Sequence, residues 1–215
     1  DSEVGNMSNS EWITNGAGLR FSHDFGAGMA DAEQACYIAE NFEGMEAAVT
    51  SSHQTATLPI AIPDNNQGGK NFTFEIETSI QRVEHVILNL DINHSWRGDL
   101  VITLTSPNGT QSQMKIDNVG DANDNLTWGF LTVRCWGENP NGTWTANVAD
   151  VFAADVGQVV NASLELHGTL SDIDPVAEGL DNENPNVIVT MVGFNGKSSF
   201  RMVPVGGYAT DDIGI

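Results

Sequence analysis

The sequence predicts an all-β protein: a jelly-roll-like antiparallel β-sandwich preceded by one short helix. Three observations favour this class. Apolar and polar residues alternate from about residue 58 to residue 170, as they do in half-buried strands. The 22 glycines and 7 prolines, with many Asn, Asp, Ser and Thr, are typical of turns between short strands. A hydrophobic content of 40% in 215 residues is enough for a buried core.

The helix is predicted over residues 31–42, before the sandwich. Asp31 can cap it, with Gln34 three residues later. Apolar residues recur at helical spacing, namely Ala32, Ala35, Cys36, Ala39 and Phe42. Because so short a helix is marginal in water, we expect its apolar stripe to dock on another surface.

The strands that follow bury one face each. Seven or eight antiparallel strands in about 110 residues predict two packed sheets, because a single sheet would leave an apolar face in water. The residues predicted to lie inside are Phe74, Leu88, Leu90, Ile102, Leu104, Val133, Trp144 and Leu164. A register slip of one residue would expose the whole set.

Composition divides the chain into five parts. These are a first segment at 1–45, a link at 46–57, the sandwich at 58–170, an acidic link at 171–186, and a hairpin or the start of a further domain at 187–215. The last segment is centred on the turn Asn195-Gly196. Its strands offer an edge through which two copies of the chain could associate.

The net charge is −21, from 8 basic and 29 acidic residues. Such a charge disfavours nucleic acid and anionic membrane surfaces as partners. No stretch approaches the ~18 apolar residues of a membrane span, and the first residues lack the features of a signal peptide. We therefore expect a soluble chain cut from a longer precursor, without membrane insertion.

Seven Asn-X-Ser/Thr motifs favour a secreted glycoprotein. They begin at Asn6, Asn71, Asn93, Asn108, Asn125, Asn141 and Asn161.

One acidic loop is a candidate calcium site. Asp117, Asp121, Asn123 and Asp124 place oxygen ligands of the kind that calcium prefers in a single loop. The loop is not an EF-hand, since counting from Asp121 it has no Gly at the sixth position and no Glu at the twelfth. The alternative is an ordinary solvated acidic turn.

Three motifs resemble a known family, in the order in which the family has them. They are GLRFSHDFGAGMADA at residues 18–32, WRGDLVITLTSPNGT at 96–110 and WGENPNGTW at 136–144. The first resembles the end of the catalytic domain of kexin- and furin-type proprotein convertases, which are subtilisin-like serine proteases. The other two resemble their P domain. The resemblance covers about residues 11–170 and implies that residues 1–45 are a catalytic-domain tail and 58–170 a P domain. It implies as partner a subtilisin-like catalytic domain, in the same precursor or as a separately cleaved chain. The helix would then contact the sandwich near Cys135 and Trp136 or hold that separate chain.

We expect no catalytic residues in the chain itself. Ser22, His23 and Asp24 are consecutive, so their side chains cannot converge as a triad, and the family's Gly-Thr-Ser motif is absent. The resemblance implies a secreted serine endopeptidase as the parent, calcium-dependent, whose P domain packs on the catalytic domain, stabilises it and shifts its pH and calcium response. Two alternatives are an extracellular adhesion module and a subunit of an extracellular assembly.

The remaining motif residues are predicted to serve the fold. They are Arg97, Gly98, Asp99, Pro107, Gly109, Gly142 and Trp144. The Arg-Gly-Asp triplet also invites an integrin-ligand interpretation, but the resemblance places it at the head of a sandwich strand. Cys36 and Cys135 either form a disulfide that ties the helix to the sandwich or stay buried thiols.

Overall fold

The computed structural model describes residues 12–40, 42, 46–55 and 57–171, and the backbone of 187–194 and 197–204. It begins with a hairpin of β1 (Ile13–Thr14) and β2 (Arg20–Phe21), followed by the helix α1 (Ala32–Glu40). The strands that follow are β3 (Val49–Gln54), β4 (Ile60–Ile62), β5 (Asn66–Ile76), β6 (Arg82–His94), β7 (Leu100–Thr105), β8 (Gln111–Lys115), β9 (Leu126–Thr132), β10 (Gly142–Asp150) and β11 (Gly157–Thr169).

Two antiparallel sheets form the sandwich. One has the strand order β5-β10-β7-β8, and the other has the order β3-β11-β6-β9 with β4 also paired to β11. This arrangement confirms the predicted all-β antiparallel sandwich. The segment 46–57, predicted as a link, contains β3, which pairs with β11 from Val49↔Gly168 to Gln54↔Ser163. Its sequence is mostly polar because β3 is an edge strand with no fully buried residue.

The core lies between the sheets and matches the predicted inner face with one exception. Phe74, Leu88, Leu90, Ile102, Leu104, Trp144 and Leu164 are all buried. Val133 is 39% exposed, so its predicted place in the core was wrong. The alternation along β9 was assigned to the wrong face. The inward residues of β9 are Phe130 and Thr132, which lie opposite Leu88 and Val86.

The helix was correctly predicted, but it does not dock on the sandwich, which was one of its two predicted partners. The side chains described on α1 are exposed apart from a half-buried Ile38. The sandwich therefore does not bury the apolar stripe near Cys135 and Trp136. No helix in the described part of the chain has the length and apolar character of a membrane span.

A separate unit, Ile173–Ile215, follows the sandwich unit, Asp1–Asp172. Its strands β12 (Val187–Phe194) and β13 (Lys197–Pro204) pair antiparallel. The turn Asn195-Gly196 and nearly all of the acidic link lie outside the described residues, and self-association through this hairpin stays a prediction.

Candidate functional site

The N-terminal hairpin docks on one end of the sandwich through Asn15. This side chain is almost fully buried. Its Nδ2 donates to the carbonyl oxygens of Arg134 at 3.0 Å and Trp136 at 2.9 Å, in the loop after β9. Its Oδ1 accepts the backbone N–H groups of Ala17 at 3.0 Å and Leu19 at 2.9 Å. Asn15 thus shapes the hairpin turn and joins it to the sandwich.

A buried carboxylate, Glu138, completes the docking site. Glu138 is only 2% exposed. Its Oε1 accepts the backbone N–H of Gly16 at 2.7 Å and the hydroxyl of Thr110, and its Oε2 accepts Asn108 Nδ2 at 3.4 Å. Buried carboxylates are stable only when hydrogen-bonded in this way. We call Asn15, Gly16, Thr110 and Glu138 the tail latch.

Close approach of the backbone explains the glycine in the latch. A Cβ added to Gly16 would lie 2.5 Å from Asn108 Cβ, a distance that a side chain cannot adopt without displacement. Two backbone hydrogen bonds close the turn that carries Asn108 and Thr110. The Ser106 N–H donates to the Thr110 carbonyl oxygen at 2.9 Å, and the Gly109 N–H donates to the Ser106 carbonyl oxygen at 2.9 Å. The predicted fold residues of this turn therefore also serve the latch.

That turn depends on the motif residues singled out from the sequence. Gly109 has φ +87° and Gly142 has φ +122°, conformations that favour glycine. A Cβ on Gly142 would contact Pro107 at 3.2 Å. Trp144 follows at the core of β10, where its Nε1 donates to the carbonyl oxygen of Pro140 at 2.9 Å. In the structure these residues make contacts within the fold.

A second contact lies between His23 and Arg134. Arg134 is buried, and its Nη1 contacts His23 Nδ1. The backbone N–H of Gln113, on the edge strand β8, donates to His23 Nε2 at 2.9 Å. Ser22 Oγ instead accepts the N–H groups of Asp24 at 3.1 Å and Phe25 at 3.3 Å. His23 and Ser22 therefore have separate, structural partners.

Between the hairpin and β7–β8 lies an open polar cleft of about 520 Å³. Asn15, His23, Thr103, Gln111 and Arg134 are among its lining residues. The hairpin therefore covers this surface without filling it.

The Arg-Gly-Asp triplet is built into the fold. Gly98 and Asp99 are buried, and Arg97 Nε donates to Asp121 Oδ2 at 2.8 Å. Gly98 N–H donates to the Asp121 carbonyl oxygen at 3.1 Å, and Asn118 N–H donates to the Gly98 carbonyl oxygen at 2.7 Å. Burial, with the nearby Asp150, raises the pKa of Asp99. An exposed integrin-binding loop would present this triplet to solvent, so the structural interpretation is the better one.

The candidate calcium loop is engaged internally at its central carboxylate. The hydrogen bonds of Asp121 to Arg97 and Asn123 lower its pKa to about 2. Asn123 Nδ2 lies 2.6 Å from Asp121 Oδ1, while Asp117 and Asp124 are exposed. Residues 12–40, 42, 46–55 and 57–171 include no cluster of three His, Cys, Asp or Glu side chains suited to a metal. Arg97 already takes the place of a cation at Asp121, and calcium binding by this loop stays a prediction.

The two cysteines are both free in the structure, so the disulfide alternative is not formed, and the buried-thiol alternative describes Cys135 but not Cys36. Cys36 is exposed on α1, and Cys135 belongs to the core cluster. Burial raises the pKa of the Cys135 thiol to about 12. The disulfide prediction required α1 to pack beside Cys135, which the exposed helix does not do.

The glycosylation motifs differ in their surroundings. Asn71, Asn93, Asn125, Asn141 and Asn161 are exposed. Asn108 is also exposed, but its amide donates to Glu138 inside the tail latch. Asn6 lies outside the described residues. Glycosylation of these positions stays a prediction.

Sequence reasoning missed the tail latch. Asn15, Thr110, Arg134 and Glu138 were not singled out, although Thr110 and Glu138 lie inside the quoted motifs. The usable signal was chemical: Glu138 stands between the turn-forming residues of its motif and the apolar Cys135–Trp136 pair. A carboxylate beside buried apolar residues needs a partner for its charge.

Known proteins match this chain in sequence and in fold. A family model for the proprotein convertase P-domain matches residues 83–166. Proprotein convertase subtilisin/kexin type 5 of Branchiostoma californiense is 36% identical over 66% of this chain and 9% of the relative. Proprotein convertase subtilisin/kexin type 6 of Homo sapiens is 35% identical over 74% of this chain and 18% of the relative.

A solved structure shows the same fold. The serine protease of Aeromonas sobria superposes with a TM-score of 0.63 at 24% identity, covering 74% of this chain and 33% of that one. This chain thus spans about a tenth to a fifth of the curated relatives' length and a third of the solved protease's. The sandwich that carries the tail latch is a proprotein convertase P domain, and the chain belongs to that family.

Proposed function

We propose that the chain is the P-domain portion of a secreted subtilisin/kexin-like serine endopeptidase. The hairpin and α1 are then the end of its catalytic domain, and the tail latch ties that domain to the sandwich. The observation that carries the proposal is the buried Glu138 carboxylate, which binds the backbone of Gly16 at 2.7 Å. Glu138 also accepts hydrogen bonds from Thr110 and Asn108 of the sandwich, so one buried carboxylate joins the docked segment to the sandwich.

The exposed side chains of the tail support this assignment. Phe42 is 48% exposed and Met29 is 81% exposed, beside an exposed α1. The sandwich leaves these apolar groups uncovered. A catalytic domain that continues upstream would bury them, as the short helix needs in order to be stable.

The P domain then stabilises the catalytic domain through linkage. Any unfolding event that separates the catalytic domain from the sandwich must also break the latch. The free energy of the latch therefore adds to the free energy of that unfolding. The activity then resides upstream, since Ser22, His23 and Asp24 are consecutive in this chain and cannot converge as a triad. Secretion accords with the seven glycosylation motifs, and calcium and pH would act on stability through the catalytic domain.

The test uses the full-length precursor and two glutamate variants. Glu138→Ala should shorten the half-life of peptidase activity during heating by about tenfold or more, because the latch loses hydrogen bonds to a buried charge. The matched control is Glu75→Ala. Glu75 is an exposed carboxylate that accepts Thr143 Oγ1 at 2.8 Å on the sandwich surface, so its loss should change the half-life by less than about twofold.

Two results would contradict the proposal. One is a precursor whose upstream sequence lacks an Asp, His and Ser set or shows no peptidase activity. The other is equal inactivation of the Glu138→Ala and Glu75→Ala proteins, which would leave the latch without a role in stabilising the protease.

A further inference from the structure

Strand β9 is an uncharged, apolar sheet edge. Its outer side has no strand partner among the described residues. No charged residue occurs from Leu126 to Val133. Trp128 is 63% exposed and Leu131 is 59% exposed. They lie on opposite faces of the sheet, since Trp128 is paired with the buried Leu90 and Leu131 with Ile87.

The other edges of the sandwich have the protection that soluble sheets need. β8 is short, and His23 accepts the backbone N–H of its Gln113. β5 carries Lys70 and Glu75, and its pairing with β10 shifts register near Asp150. β3 is six residues long and mostly polar. Among the described edge strands of the two main sheets, β9 alone combines seven residues with an apolar side chain on each face.

An edge of this kind is suited to strand addition. Backbone N–H and C=O groups along the outer side of β9 supply affinity, and side chains on both faces supply contact area. Exposed Trp is also the residue type most often found at energetically important contacts. β9 therefore has the features of an interaction surface.

We propose that an extended segment of the upstream catalytic domain pairs with the β9 edge and covers Trp128 and Leu131. This inference rests on the proposed function. The partner follows from continuity with the docked tail: Asn15 binds the carbonyl oxygens of Arg134 and Trp136, immediately after β9 ends. The tail also reaches β8, whose Ser112 meets Thr132 of β9 at 2.8 Å across the sandwich.

Charge argues against a second copy of the chain as the occupant. Two copies at −21 each repel one another. The curated relatives extend far beyond this chain, which covers 9% of one and 18% of another. Most of the precursor is therefore available as the partner.

The experiment compares single variants in the full-length precursor by hydrogen exchange and heat inactivation. Leu131→Lys introduces an edge charge, and Leu131→Thr keeps strand propensity while removing apolar contact. Ser52→Lys is the matched control, because Ser52 is exposed on β3, the opposite edge of the same sheet. We expect exchange of the 126–132 amides to rise about tenfold or more in both Leu131 variants, with faster inactivation, and no change in Ser52→Lys.

The outcomes separate this inference from the proposed function. If the Leu131 variants exchange their 126–132 amides at the wild-type rate while Glu138→Ala still speeds inactivation, the β9 contact is overturned. The tail latch then keeps its proposed role. Unchanged inactivation in the Glu138→Ala and Leu131 variants together overturns both. Protection of 126–132 that depends on protein concentration, with dimers in sedimentation, identifies a second copy as the occupant and overturns the inference.

Discussion

The sandwich and the docked tail are stabilised by different interactions. The sandwich has a contiguous apolar core that includes Phe74, Leu88 and Trp144, each at zero exposure. The tail hairpin has no comparable core: Trp12 and Phe25 stack with ring centroids 6.2 Å apart, but Phe25 stays exposed. It depends on a few buried hydrogen bonds around Asn15 and Glu138. Apolar burial is non-directional and shared among many residues, whereas the latch is concentrated in a few atoms.

This difference predicts separate unfolding events. The loss of a core side chain should lower the stability of the whole sandwich, while the loss of a latch residue should release the tail and leave the sandwich folded. The predictions below test that separation, from the largest expected change in free energy to the smallest.

The largest effect is expected for Leu88→Ala. Leu88 lies in the centre of β6 between β11 and β9, opposite Leu164 and Phe130, and is fully buried. Its truncation should lower the free energy of unfolding of the sandwich by about 2–5 kcal/mol, because a cavity remains. Urea denaturation followed by tryptophan fluorescence measures this loss. A destabilisation below about 1 kcal/mol would contradict a core packed around Leu88.

The next effect is expected for Asn15→Ala, which should open the tail. Four hydrogen bonds of the buried amide are lost, at a cost of about 1–3 kcal/mol. Exchange of the Ala17 and Leu19 amides should rise about tenfold or more, while the urea midpoint of the sandwich stays close to wild type.

Asn15→Asp is the control that divides these hydrogen bonds. A carboxylate keeps the acceptor for Ala17 and Leu19 but loses both donations to the Arg134 and Trp136 carbonyl oxygens. Tail release in Asn15→Asp, with the hairpin turn still protected, would assign the docking energy to those two donations. Exchange equal to wild type would show that docking does not depend on them.

The sequence predicted the apolar core of the sandwich better than the hydrogen bonds of the latch, because only the core leaves a periodic pattern. Alternation identified the inner residues of β5, β6, β7, β10 and β11, because burial on one face leaves a period of two. It misread β9, where apolar residues occupy both faces of an edge strand, and it missed β3, whose edge position leaves few apolar residues. The latch residues carry no periodic signal, since their partners come from distant parts of the chain.

Gly16→Ala should have a smaller effect on docking than Asn15→Ala. The added Cβ would lie 2.5 Å from Asn108 Cβ, and a Cβ moves only with its backbone, so the exposed turn that carries Asn108 has to shift. We expect tail exchange to rise severalfold, with about 1 kcal/mol lost. Gly18→Ala is the comparison in the same turn, where no neighbouring atom lies within 4 Å but φ is +84°. Since Gly18 has a positive φ and Gly16 does not, wild-type exchange in Gly16→Ala would show that close contact with Asn108 does not limit docking.

The smallest effect concerns pH and falls on the sandwich alone. His85 and His167 stack across β6 and β11 with ring centroids 4.2 Å apart. Desolvation, followed by the charge of His167, lowers the pKa of His85 below 6.5, while Glu84 and Glu165 oppose the shift. Since the folded pKa lies below the unfolded value, the unfolded chain binds the proton more readily. The contribution of His85 to stability is therefore complete above about pH 6.5 and is lost as the pH falls below that value.

His167→Thr tests the stack by removing the neighbouring charge. Thr keeps strand propensity, and the pKa of His85 should rise towards its ordinary value, which an NMR titration of the His85 ring measures. The sandwich should lose less stability between pH 7 and pH 5 than the wild type does. His53→Gln serves as the control, because His53 bonds Ser51 on β3, away from the stacked rings. If the stability of His167→Thr depends on pH as that of the wild type does, the acid sensitivity belongs to other groups. If amide exchange in the tail follows the His85 titration, the sandwich and the latch do not respond separately to pH.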